Sequence, residues 1–239
     1  MFKNIFLKFL LPLLASTLFL LNSNSALTQN IGYESWFGYM GSVKLSEKWK
    51  IWHDYHWVTQ RFVVLRPGIT YQTSKNYNIS AGYAHLLIAT PVSSSLRRKE
   101  NRLWWQVVKT YPLNQRFSYN FRFRYDARFM QVLDKNQFLI ENEFAFTNRY
   151  RLRQYVRYKL NSNNNFIWHL TYMNEILVKS GKYTSFGFDQ IRNYLLLGNT
   201  TPNISILFGY HLRHIPTVQK KCNQFGGLTF WVIHKIDLN

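Results

Sequence analysis

One cysteine, Cys222, occurs in 239 residues, so no disulfide can form within the chain. The small stapled scaffolds of secreted proteins are thereby excluded. Cys222 is also far from the amino terminus, where a lipid-anchoring cysteine would sit. Acidic residues are scarce as well: 11 stand against 30 lysines and arginines, for a formal charge of +19. Carboxylate-rich cation sites have little to be built from. A third lack is a long apolar run. The longest, Phe9–Leu21, falls short of the roughly 20 residues a helical membrane span needs, and no later segment approaches it.

That apolar run has a different meaning. Lys3 and Lys8 lead into it, and Ser23, Asn24, Ser25 and Ala26 follow it. A basic start, an apolar stretch and a small-residue site make a secretory signal peptide. Residues 1–25 are read as that leader, with a mature start near Ala26 and a barrel domain over 26–239. An exported chain this basic has no use for nucleic acid as a partner. Aromatics are abundant, with 16 Tyr, 19 Phe and 8 Trp, yet the mean hydropathy is −0.26. A membrane barrel needs both, rings for the acyl boundary and polar groups for the lumen.

The apolar period is two. Phe117, Tyr119, Phe121, Phe123, Tyr125, Ala127 and Phe129 alternate with Arg116, Ser118, Asn120, Arg122, Arg124, Asp126 and Arg128. Side chains alternate across a strand, so one face is nearly all rings and the other nearly all polar. From Arg149 to Leu160 the pattern recurs. Tyr150, Leu152, Val156, Tyr158 and Leu160 share a face broken by Gln154, opposite Arg149, Arg151, Arg153, Tyr155, Arg157 and Lys159. Two further clear runs begin at Phe166 and Ile204. Weaker alternation covers Tyr33–Leu45, Trp49–Arg61, Val63–Gln72, Tyr77–Ile88, Arg102–Tyr111, Phe188–Asn199 and Phe225–Ile236.

Short polar turns at Ser46–Lys48, Ser74–Asn76, Asn114–Gln115, Asn161–Asn164 and Pro202–Asn203 alternate with longer connections at Ala89–Lys99, Gln131–Asn148, Lys179–Gly187 and His214–Asn223. Outer-membrane barrels have short periplasmic turns and longer outside loops. The fold class read from this is all-β: a single up-and-down antiparallel transmembrane barrel of about 10–12 strands. Eleven runs are present, whereas bacterial barrels have even strand numbers. Setting the amino-terminal run aside gives ten, and counting Phe138–Phe146 gives twelve. A soluble two-sheet sandwich alternates too and stays as an alternative fold, with a secreted binding role.

Trp36, Leu65-Arg66-Pro67-Gly68-Ile69-Thr70-Tyr71, Gly82-Tyr83, Arg102-Leu103-Trp104-Trp105-Gln106 and the Arg149–Arg157 strand occur in that order. In this order and content the chain, over about residues 34–239, resembles an uncharacterised family of bacterial outer-membrane proteins known only as a domain of unknown function. The resemblance implies a barrel and an outer-membrane location. It brings no catalytic or ligand-binding residues with it.

The candidate site is the basic face. Arg122, Arg124, Arg128, Arg149, Arg151, Arg153 and Arg157 would line the lumen. Two readings compete. In one, the arginines pair with Asp54, Asp126, Glu175 or Asp189 and plug the barrel, since unpaired buried charge is costly. In the other, arginine rings attract small anions. The acids are too few to neutralise every arginine.

His53 and His56, like His211 and His214, are three apart and so point to opposite faces of a strand. No metal site and no cofactor are read from them. A lipid-modifying enzyme would need a serine beside a histidine. His85 and Ser93–Ser95 are the nearest candidates, without a compelling spacing. Trp36, Trp49, Trp57, Trp104, Trp105, Trp168 and Trp231 fit interfacial girdles, and Arg66-Pro67-Gly68 fits a bulge or strand start. The expected partners are membrane lipid and lipopolysaccharide, together with small anions, around a monomer.

Overall fold

The computed structural model describes residues 28–90, 93–134, 140–161, 165–181, 184–216 and 222–238. The leader of residues 1–25 and the start at Ala26 lie outside them. One sheet contains all thirteen strands. They are β1 Thr28–Tyr33, β2 Trp36–Lys44, β3 Trp49–Val58, β4 Phe62–Leu65, β5 Gly68–Ser74, β6 Tyr77–Ala89 and β7 Arg97–Pro112. The remainder are β8 Phe117–Leu133, β9 Ile140–Lys159, β10 Ile167–Gly181, β11 Thr184–Thr200, β12 Ile204–Pro216 and β13 Cys222–Asp237.

Two of the thirteen share places with others. β1 and β2 lie end to end along β13: Tyr33 faces Gly226 and Trp36 faces Thr229, so one register runs through both. β4 and β5 divide a single place between β3 and β6, interrupted at Arg66-Pro67. The wall therefore has eleven positions. Neighbours in sequence are antiparallel, and β13 closes on β2 in parallel. An odd number of up-and-down strands forces this, because the first and last then run the same way. The even count expected from the sequence assumed an antiparallel seam. A closed wall also excludes the two-sheet sandwich.

Of the segment weighed as a twelfth strand, Phe138 lies outside the described residues, and Ile140–Phe146 is the first part of β9. β8, β9 and β11 reach 17, 20 and 17 residues, well beyond the roughly 9–11 of a bilayer crossing. Much of what reads as long connection is therefore strand. Leu133 faces Ile140, Gly181 faces Thr184 and Pro216 faces Cys222. The backbone groups of these extensions need partners, and the ladders supply them.

Register sets the barrel's shape. Lys159 sits opposite Arg116, and the row runs on through His169, Gly198, Leu207, Trp231, Gly38, His56, Val64, Leu86 and Glu100 to Met130. It returns to β8 fourteen residues from its start. For eleven strands about 4.8 Å apart, that stagger means a tilt of about 41° and a backbone diameter of about 22 Å.

The outside is an apolar band. Phe117, Tyr158, Leu170, Leu197, Phe208, Phe230, Phe37, Trp57, Val63 and Leu87 follow one another as paired residues on ten of the eleven wall positions. Among the described residues 34 large apolar side chains are exposed while 15 hydrophobic ones are buried. Large rings outside and arginines inside invert the order of a water-soluble protein. Gln154, the break in the apolar face of β9, accepts the Tyr119 hydroxyl at 3.0 Å. It continues sideways into Asn174 and Asn193 on β10 and β11, and Asn174 donates to Asn193 at 2.8 Å.

Candidate functional site

The interior is organised by six carboxylates, none more than 6% exposed: Glu34, Asp54, Glu100, Asp126, Glu175 and Asp189. Register explains why they are needed. Arg122 faces Arg153, Arg124 faces Arg151 and Arg192 faces Arg213 across neighbouring strands, and like charges directly opposite repel. Each acid is placed between basic groups. Asp126 takes Arg124 at 2.8 Å and Arg151 at 2.7 Å. Glu175 takes Arg122 at 2.5 Å and Arg192 at 3.3 Å. Glu100 takes Arg102 and Arg128, each at 2.5 Å. Asp189 takes Arg149 at 2.8 Å and Lys179 at 3.4 Å.

The remaining two secure the interrupted wall positions. Asp54 accepts Arg66 at 2.8 Å and the His56 ring at 2.5 Å, and its backbone carbonyl takes the Arg66 amide at 2.9 Å. Arg66 therefore ties the β4–β5 break to β3. Glu34, between β1 and β2, accepts the Trp36 indole at 2.9 Å, the His211 ring at 3.3 Å and the Arg213 guanidinium through both of its oxygens.

Of the seven arginines singled out in the sequence, Arg122, Arg124, Arg128, Arg149 and Arg151 are held in these pairs. Arg153 and Arg157 form no ion pair with any described carboxylate. Their guanidiniums lie 5.8 and 5.6 Å from the centre of the Tyr155 ring between them. The sequence reading missed Glu34, Glu100, Arg66, Arg102, Arg192 and Arg213. Strand parity would have found Glu100 and Arg102, which share a face with Gln106.

The motif residues meet in one stack. Gly68 faces Gly82, and the Trp104 indole lies over both. A Cβ on Gly68 would come within 2.6 Å of that ring, and one on Gly82 within 2.3 Å of the Pro67 carbonyl. Arg124 in turn rests 4.5 Å above the Trp104 ring. Two glycines allow a tryptophan flat against the wall, and the tryptophan carries a paired arginine.

The interior is not basic throughout. Trp36, Val58, Met173, Tyr194, Leu196, Leu207 and Trp231 form one buried cluster, and Val64, Ala84, Leu86 and Trp104 a second. Trp36, Trp104 and Trp231 are thus inside and not in interfacial girdles, whereas Trp49, Trp57, Trp105 and Trp168 are exposed. Parity is the cause: Trp104 shares the face of Arg102 and Gln106. Between the charged and apolar sides lies a cavity of about 590 Å³. Twelve lysines and arginines line it against two carboxylates, Asp54 and Glu175.

His56 faces inward to Asp54, and His53 packs outside beside Tyr39 and Tyr55. Among the described residues no group of three His, Cys, Asp or Glu is placed to hold a metal ion. His85 bonds to Asn101 at 2.8 Å, and Ser93 to Ser95 at 2.8 Å.

The chain belongs to the family described as "Protein of unknown function (DUF2490)", whose profile matches residues 33–224. No curated protein matches it. Among solved structures, one titled "NanC porin structure in rhombohedral crystal form" is similar at 15% identity and a TM-score of 0.43, over 75% of this chain and 86% of that one.

Proposed function

We propose that this member of an unassigned family is a bacterial outer-membrane barrel whose basic interior admits small anionic solutes. The inverted surface supports the membrane part. Without water, only helices and closed barrels satisfy their backbone, and no helix among the described residues is long and apolar enough to cross. Lipid, with lipopolysaccharide in the outer leaflet, is the partner that suits the exposed rings, and a monomer suffices because the wall has no free edge.

The cation excess around the cavity carries the anion part. Twelve basic side chains line it. Even with all six interior carboxylates set against them, positive charge is in surplus. Charges of one sign in a low-dielectric channel concentrate the opposite ion. The paired arginines and the two apolar clusters narrow the lumen, so passage is restricted to small solutes.

Planar-bilayer recording of the purified barrel under a potassium chloride gradient tests this. The expected result is a small conductance whose reversal potential lies on the chloride side. A silent bilayer, or a reversal potential on the potassium side, would overturn it.

A further inference from the structure

Charge compensation is uneven within the lumen. Glu100, Asp126 and Asp189, with their partners, occupy the half toward the β6–β7 and β8–β9 connections. Toward the β2–β3 and β9–β10 turns the inward cations include Lys44, which pairs with Glu47 and Asp237. They also include Lys50, Arg153, Arg157 and Lys235, none of which forms an ion pair with a described carboxylate, although Glu175 faces Arg153 in register. The last four come from β9 on one side of the lumen and from β3 and β13, which flank β2, on the other. Arg157 and Lys50 both act electrostatically on Lys235. The Nε atoms of Arg153 and Arg157 are buried without a hydrogen-bond partner among the described residues.

The same half presents rings. Tyr155 lies between Arg153 and Arg157, and Met173 faces it in register. Trp52 reaches the row of Lys235 through Ser42. Arg153, Lys50, Lys235, Tyr155, Trp52 and Met173 all line the 590 Å³ cavity, which is within the usual size of small-molecule sites. An inorganic anion would use the charges and leave the rings idle.

We propose that this half of the lumen is a binding seat for a small aromatic or otherwise ring-bearing organic anion. Arg153, Lys235 and Lys50 take the carboxylate or phosphate, and Tyr155, Trp52 and Met173 take the body. The inference rests on the anion reading above and adds the class of solute.

Titration calorimetry on the intact barrel in detergent tests it, with benzoate, acetate and benzyl alcohol as probes. Benzoate is expected to bind roughly ten-fold more tightly than acetate, in keeping with ring and cation contacts of this kind, and benzyl alcohol not to bind measurably. Arg153→Gln should weaken benzoate about ten-fold, and Tyr155→Leu should remove the preference over acetate while leaving acetate unchanged. Lys235→Gln, at an exposed side chain outside any ion pair, gives the same test without risk to the fold. Equal binding of benzoate and acetate overturns the inference, as does unchanged benzoate affinity in both charge variants. So does a phospholipid released on denaturation from a barrel that binds no benzoate. An anion-selective barrel that does not prefer benzoate would overturn only this inference. A barrel that binds benzoate but conducts no anions would overturn only the transport reading.

Discussion

Arg128 holds Glu100 through both carboxylate oxygens, with Nε 2.5 Å from Oε1 and Nη2 2.9 Å from Oε2. Arg102, on the strand of Glu100 itself, takes Oε1 as well. Adjacent strands are thus joined by a buried carboxylate that two guanidiniums share. The value of such a pair over an apolar one is small, but removing one partner strands the others.

Glu100→Gln should therefore destabilise the barrel by about 3–5 kcal/mol, because Arg102 and Arg128 are left buried without a counter-charge. Urea unfolding in lipid vesicles reads this directly. Glu47→Gln is the contrast: Glu47 pairs with Lys44 at 2.7 Å but is 88% exposed, and its loss should leave the midpoint where it was.

Gly82→Val should be felt as overpacking. The added carbons would press on the Pro67 carbonyl and the Trp104 ring, at a cost of about 1–3 kcal/mol. If the unfolding midpoint does not move, Trp104 is not seated on these glycines as described.

The outer band predicts a cost for charge outside. Leu170→Arg, in the continuous apolar row, should lose about 2–4 kcal/mol of vesicle-folded stability. A variant as stable as the parent would mean that Leu170 faces water.

The amide row on the outer face predicts coupling. Tyr119→Phe and Gln154→Leu each remove one partner of a 3.0 Å hydrogen bond, and the double variant should recover about 1 kcal/mol relative to the sum. Strict additivity would mean that the bond contributes nothing.

Phe117–Phe129 of β8 and Arg149–Lys159 of β9 were legible residue by residue, because their faces separate apolar side chains from arginines with only Gln154 and Tyr155 out of place. The pairing inside was not. Which acid meets which arginine depends on cross-strand register, and register is set by turns and by closure, which no single run contains. Phe138–Phe146 looked separate because its polar neighbours resemble loop, yet Ile140–Phe146 continues a ladder that backbone hydrogen bonding sustains. Trp36, Trp104 and Trp231 were assigned by residue type although their parity already placed them with inward neighbours. Gly68 read as part of a bulge or strand start and Gly82 only as part of the family resemblance, while their use is to admit Trp104 from another strand.

The parallel seam between β2 and β13 has a consequence for where the two ends of the chain come out. Thr28 lies beside Cys222, at the start of β13, and Asp237 lies at its far end. The two ends of the described chain therefore emerge at opposite mouths of the barrel, and in the proposed setting on opposite sides of the membrane. Whichever compartment receives the carboxyl end, a tag or protease site placed just before Thr28 reports on the other.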